Sequence, residues 1–395
     1  MKQAWRWFGP DAGISLDAVR QAGATDIVSA LHHIPIGTAW SYEEVSKRKS
    51  FIEDSPTSRI RLKWSVVESI PIPDAVKLRG AAAKAEIDTW IASMKAVADN
   101  DIFVVCYNFM PVVDWTRTDT DFAMPSGATA MRFDVERYAA FDLHILKREN
   151  AEDDYDAAMI KRANRMFETM SDVERERVTN TIVAALPGAA TQSLTLSEFR
   201  NKLNEYMGLS AEKLRQNLIE FLEIVTPAAE AMGVRLALHP DDPPRSLFGL
   251  PRVVSTADDY QALFDAVPSP ANGICFCTGS LGARQDNDLV AMSEHFVDRI
   301  GFAHLRAVKH EVIPGSFHEA SLLEGDADMV GVVRNLLAGE ARRAPEDEII
   351  FRPDHGHRML GDLHEDTGPG YPAVGRLRSL AELRGIIAGL TGRLN

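Results

Sequence analysis

Eight short runs of β-branched, aromatic and other apolar residues recur along the chain, and each is followed by a stretch of helical period. The runs are Ala4–Phe8, Asp26–His32, Leu62–Glu68, Ile102–Phe109, Val234–His239, Gly273–Thr278, Ile300–Arg306 and Glu348–Asp354. Helical patterns occupy Leu16–Ala22, Tyr42–Phe51, Ala83–Ala98, Ala211–Met232, Ala257–Ala266, Asp288–Asp298, Ala327–Leu337 and Leu377–Leu390. Such alternation is the pattern of βα units joined into a parallel sheet. Runs such as IFVVCYNFM and VRLALHP are apolar on both faces, as strands covered by helices must be. Eight units of this kind predict an α/β fold, a closed (β/α)8 TIM barrel. The 395 residues, 45% of them hydrophobic, suffice for one such domain spanning 1–395 with an insertion.

The rhythm fails between about Thr116 and Ser210. That interval is polar, charged and helical in pattern, as in NAEDDYDAAMIKRANRMFETM, and contains no convincing strand. It reads as a mainly helical insertion, 116–210, in the loop after the fourth strand, where a barrel carries a lid or an oligomer contact. A homo-oligomer, dimer or tetramer, is expected. Ser41 with Glu44 predicts a capping box, and Gly233 predicts a helix stop.

A net charge of −14 argues against nucleic acid or an anionic membrane as partner, since both require a basic surface. The N-terminus MKQAWRWFGP has no apolar signal core, and no run approaches the roughly 20 apolar residues of a membrane helix. Cys106, Cys275 and Cys277 are the three cysteines; the last two lie too close along one strand for an unstrained disulfide. Reduced thiols and a cytoplasmic location are expected.

Functional groups of a barrel lie at the C-terminal ends of its strands. The last polar residues of the eight runs are Arg6 or Trp7, His32, Glu68, Asn108, His239, Cys277, His304 and Asp354. Strand periodicity places Ala237 with His239, Cys275 with Cys277, Phe302 with His304, and Arg352 with Asp354 on common faces. Four consecutive strand ends bearing His, Cys, His and Asp form a pattern of metal ligands gathered by the fold. Taken singly, Cys277 could be a buried apolar residue and Asp354 a turn cap. No compact zinc-finger spacing is present, so the expected ion is catalytic, and one thiolate favours iron, zinc or manganese over magnesium.

Beside Asp354, the segment RPDHGHRM carries Arg352, His355 and His357, and TGPGY offers Tyr371 from a turn. A phenol there could move a proton or merely cover the mouth. Arg6, Arg306, Lys309 and Arg352 place positive charge at strand ends, which suits a carboxylate-bearing substrate, although any one of them could form a surface ion pair.

The motifs RWFG at Arg6, SALHHIPIG at His32, VVESIP at Glu68, VCYNFMPVVDWTRTD at Asn108 and LALHPDDPP at His239 continue with FCTGSLG at Cys277, FAHLRAV at His304, SFHEA at His318, FRPDHGH at Asp354 and GPGY at Tyr371. Together they run nearly end to end, and the chain resembles the D-mannonate dehydratase family, whose barrel is related to xylose isomerase-like enzymes. The resemblance implies metal ligation by His239, Cys277, His304 and Asp354, with Mn2+ or alternatively Fe2+ as cofactor. It implies acid/base groups at His355 and Tyr371 and substrate contacts at Arg6, His32, Asn108 and Arg352. The implied reaction converts D-mannonate to 2-dehydro-3-deoxy-D-gluconate plus water, a hydro-lyase step of hexuronate catabolism. Rival readings are a sugar isomerase or epimerase on the same barrel class and a non-catalytic metal-binding protein.

Overall fold

The computed structural model describes residues 1–54, 60–183, 194–345, 347–365 and 367–392. Eight parallel strands close into a barrel: β1 (Lys2–Arg6), β2 (Asp26–Ser29), β3 (Lys63–Glu68), β4 (Val104–Tyr107), β7 (Arg235–Leu238), β8 (Asn272–Cys277), β9 (Ile300–Leu305) and β12 (Ile350–Pro353). Each falls on one of the eight apolar runs, with ends shifted by up to three residues, β1 and β8 starting earlier than expected. The cyclic order is β1-β12-β9-β8-β7-β4-β3-β2, and all neighbours pair parallel.

Helices follow the strands because a parallel crossover must bury both sheet faces. Ala83–Ala98, Ala211–Ala231 and Ala257–Ala266 press apolar faces, including Trp90, Phe221 and Tyr260, onto the barrel's outer surface. Gly233 adopts φ of 69° just beyond the long helix, a conformation with little steric cost only for glycine. Ser41 accepts a hydrogen bond from the Glu44 amide at 3.2 Å, while the Glu44 carboxylate pairs with His33 at 2.9 Å.

The segment after β4 differs from expectation. Helices do occupy much of it, at Val135–Ala140, Ala157–Thr169, Asp172–Val183 and Leu196–Glu205, around their own core of Phe133, Tyr138, Phe141, Phe199 and Phe248. Yet two strands, β5 (Asp119–Ala123) and β6 (Thr129–Phe133), lie where none was expected. They join β10 (Ala307–His310) and β11 (Phe317–Ala320), from the loop after β9, in an antiparallel sheet ordered β10-β11-β6-β5. Residues 184–193 of the predicted insertion lie outside the described residues. Among the described residues, no helix is long and apolar enough to cross a membrane.

Candidate active site

The barrel interior is stacked in layers. Ala4, Val28, Val66, Cys106, Ala237, Cys275, Phe302 and Ile350, one from each strand, form an apolar plug. Two residues further along, on the same strand faces, stand Arg6, Ala30, Glu68, Asn108, His239, Cys277, His304 and Arg352. The period of two therefore converts an apolar floor into a layer that is polar at every strand but the second, where Ala30 stands, within a single step. Arg6, Glu68, Asn108, His239, His304 and Arg352 line a cleft there, joined by Asp354, His355 and Tyr371 from beyond the strand ends.

Ligand atoms of His239, Cys277 and His304 lie within 4.8 Å of one another. The Asp354 Oδ2 is 3.8 Å from the Cys277 sulfur and 3.9 Å from His304 Nδ1. Burial pushes the Cys277 thiol up, but Arg306 and the neighbouring imidazoles of His239 and His304 prevail and hold it well below its ordinary value, as a thiolate. Burial would lower His239, whereas the hydrogen bond to Cys277 and the charge on it push the imidazole up to about 10. His239 Nδ1 meets the Pro240 carbonyl at 2.7 Å, which fixes the ring. His304 is 1% exposed, and neither of its ring nitrogens makes a well-formed hydrogen bond, the Glu68 Oε2 standing 3.4 Å from Nε2. Unpartnered buried nitrogens beside a thiolate and a carboxylate fit a bound cation.

Cys106 and Cys275 approach His304 as closely, giving a second Cys/His grouping. It is the poorer donor set. Cys275 is embedded in the apolar plug, and burial together with its contact to Cys106 holds its thiol well above the ordinary value, hence protonated. All three cysteines are free.

Arg352 is buried between two carboxylates, donating to Glu68 at 3.2 and 2.9 Å and to Asp354 at 2.5 Å. Glu68 and Asp354 would each resist ionising in the interior, but Arg352 above all holds both well below the carboxylate range. Arg6 donates to the Glu68 main-chain carbonyl and lies 4.7 Å over the Phe8 ring. Asn108 reaches Asp114 at 3.4 Å. His32 stands apart: it lines the two neighbouring clefts, and burial and then Arg6 hold it well below its ordinary value, hence neutral.

His355 and Tyr371 face each other edge to face, ring centres 5.2 Å apart. Tyr371 also packs its ring against Phe8 at 4.8 Å, and burial pushes its phenol well above the ordinary value. His355 Nε2 is 3.7 Å from Asp354 Oδ1 and its Nδ1 is 3.1 Å from Glu319 Oε1.

Glu319, Asp242 and Arg117 were not among the expected site residues. Arg117 binds Asp242 at 2.7 and 3.2 Å and Glu319 at 2.7 Å; Arg306 binds Glu319 at 2.6 and 2.8 Å, Asp242 at 2.6 Å and Asp354 at 2.7 Å. Arg306 is thus a buried node, whereas Lys309 forms an exposed pair with Asp326 at 3.4 Å. The HPDDPP and SFHEA motifs carried these acids in plain view. Their partners are far apart in sequence, so no spacing rule links them.

A parallel (β/α)8 barrel with buried titratable side chains and a His/Cys donor set at its C-terminal mouth defines an enzyme of the barrel class, with a site suited to a metal ion. Comparison with known proteins narrows the class. Residues 1–393 match the model of the D-mannonate dehydratase (UxuA) family, and the chain belongs to that family of hydro-lyases. It is 59% identical over 390 residues to the mannonate dehydratase of Brucella melitensis biotype 2, covering 99% of this chain and 97% of the relative. The mannonate dehydratase of Chromohalobacter salexigens is 51% identical over 389 residues, with 98% of each chain covered. The crystal structure of mannonate dehydratase from Streptococcus suis serotype 2 superposes with a TM-score of 0.75 at 29% identity, covering 99% of this chain and 94% of that one.

Proposed function

We infer that this chain dehydrates D-mannonate to 2-dehydro-3-deoxy-D-gluconate. The observation that carries the reading is the facing pair His355 and Tyr371 beside the His239, Cys277 and His304 cluster, in a chain so similar to mannonate dehydratases. His239, Cys277, His304 and Asp354 are the proposed ligands, with Mn2+ as the ion and Fe2+ as the alternative, since mixed imidazole, thiolate and carboxylate donors suit such borderline cations. When bound, the cation supplies Lewis acidity, stabilising negative charge that develops next to the substrate carboxylate as C2 loses its proton.

The protein's own groups perform the proton transfers. His355 is the proposed base: with Nδ1 turned to Glu319, Nε2 is the nitrogen left to accept the C2 proton. Tyr371, kept as a phenol by burial, donates its proton to the departing C3 hydroxyl, so that water leaves and an enol remains. The enol then gains a proton at C3 and loses its C2 hydroxyl proton to become the keto acid, which returns His355 and Tyr371 to their starting states. Arg6 and Asn108, which line the cleft, are the proposed substrate contacts. His32 is proposed at the rim, bordering the substrate's far end. Arg352 bridges Glu68 and Asp354 with three of its five N–H groups, which orients the site, and its remaining N–H groups are proposed to anchor the substrate carboxylate in the cleft that it lines.

The test is direct. Protein supplied with Mn2+ and D-mannonate forms a 3-deoxy-2-keto acid; aldose–ketose exchange or no product would overturn the reading. Exchange of the C2 proton with solvent deuterium then separates the roles: it is lost in His355→Asn and retained in Tyr371→Phe.

A further inference from the structure

We propose that Glu319 is the positioning residue of the acid/base pair, holding His355 from behind so that the geometry of proton transfer depends on a hairpin outside the barrel. The proposal rests on the dehydratase reading, which gives His355 its proton-accepting role.

Glu319 sits on β11, in the small sheet, and is 3% exposed. Its side chain meets His355 Nδ1 at 3.1 Å, and its main-chain carbonyl accepts from His357 Nε2 at 2.9 Å. One glutamate therefore grips both histidines of the DHGH segment that follows β12. Arg117 and Arg306 grip the carboxylate in turn, at 2.7 Å and at 2.6 and 2.8 Å. Flanked by two guanidinium groups it stays ionised, and an ionised carboxylate can only accept. Nδ1 of a neutral ring must then carry the hydrogen, which leaves the lone pair on Nε2, directed away from Glu319. Trp115, edge-on at 6.2 Å, and Tyr371 limit rotation of the ring but supply no hydrogen bond that selects between its two nitrogens, and Asp354 Oδ1, 3.7 Å from Nε2, stands beyond hydrogen-bond distance.

A purely stabilising role is a weaker account. Buried charge networks are expensive to desolvate, and apolar packing of equal volume often stabilises a fold as well or better. The arrangement also draws its parts from places that otherwise have no business together: Arg117 from the segment after β4, Glu319 from the loop after β9, and His355 from the end of β12. Their meeting point is the back of the proposed base.

The experiment is a double-mutant cycle on manganese-loaded protein with Glu319→Gln, His355→Ala and the pair combined. Glu319→Gln is expected to lower kcat by about 10²-fold, within the range for misplaced general acid–base groups, with KM and manganese content within about 2-fold of wild type. In the background of His355→Ala, adding Glu319→Gln is expected to cost nothing further. A folded Glu319→Gln protein with wild-type kcat overturns the proposal, as does a double variant slowed by the product of the two single effects. If Glu319→Gln does not fold, Glu319→Asp replaces it. That variant keeps the charge for both arginines but falls one methylene short of His355, and the same outcomes decide. If His355→Ala is too slow to measure, the split decides: loss in kcat alone supports positioning, whereas equal losses in KM or manganese content overturn it. A wild-type protein without dehydratase activity would instead sink the underlying functional reading.

Discussion

His304 brings two unpartnered ring nitrogens into a cleft already holding a thiolate, and such a group costs about 1–3 kcal/mol if it stays unsatisfied. Its replacement by alanine is therefore expected to remove the cation while leaving the fold intact, seen as manganese content falling at least about 10-fold after dialysis. Cys277→Ser should also lower manganese retention; unchanged retention and rate would strike the sulfur from the ligand set. Arg117 poses a different problem because both of its partners are buried carboxylates. Arg117→Met leaves Asp242 and Glu319 to share Arg306 alone, at a cost of about 3 kcal/mol in the urea unfolding free energy. The residues of the polar layer were legible in the sequence because each stands two places beyond an apolar neighbour, as Cys277 does beyond Cys275. The commitment of Arg352 to Glu68 and Asp354 was not legible, since an arginine codes for charge and the choice of partner is made in space.

At the scale of elements, the barrel strands announced themselves by apolar runs, whereas β5, β6, β10 and β11 did not. DTDFA and AVKH are short, polar and half exposed, and each becomes a strand only through hydrogen bonds to a distant partner. Pairing of β6 with β11 joins residues such as Arg132 and His318 across almost half the chain, which no local propensity encodes. The short helix Thr278–Gly282 shows a second non-local demand. A Cβ on Gly279 would collide with the Arg306 side chain, so the glycine makes room for the network's central cation. Gly279→Ala is expected to displace Arg306, costing about 1–3 kcal/mol in stability and lowering kcat together with it. Unchanged thermal unfolding would show that the helix can shift freely.

For the whole molecule, the buried acids set the response to pH. Glu68, Asp242, Glu319 and Asp354 are all held below their ordinary range by neighbouring cations, and Glu311 is lowered from 4.5 to about 2, chiefly by His318 and Arg132 against the opposing effect of burial. Groups that ionise more readily in the folded state stabilise it above their unfolded values and lose that contribution as pH falls through the folded ones. The melting temperature should therefore hold down to about pH 4.5 and drop progressively between about pH 4.5 and 2; a flat profile there would contradict the network. Chelation tests the cation at the same scale. Turnover should vanish while far-UV circular dichroism is retained, because apolar packing of the plug and the barrel's outer surface holds the barrel, whereas general unfolding would indicate a structural ion.

The sequence alone determined the barrel, its eight strands and the polar residues that crown them, because periods of 2 and 3.6 and the apolar runs are local properties written along the chain. It also carried the family motifs. The tertiary structure alone decided how charges pair: that Arg306 is a buried node instead of a substrate clamp, that His32 lines a neighbouring cleft, and that Glu319 on a small outlying sheet touches the ring of His355. Electrostatic partners are selected by distance and burial, and these exist only once remote segments have folded against each other.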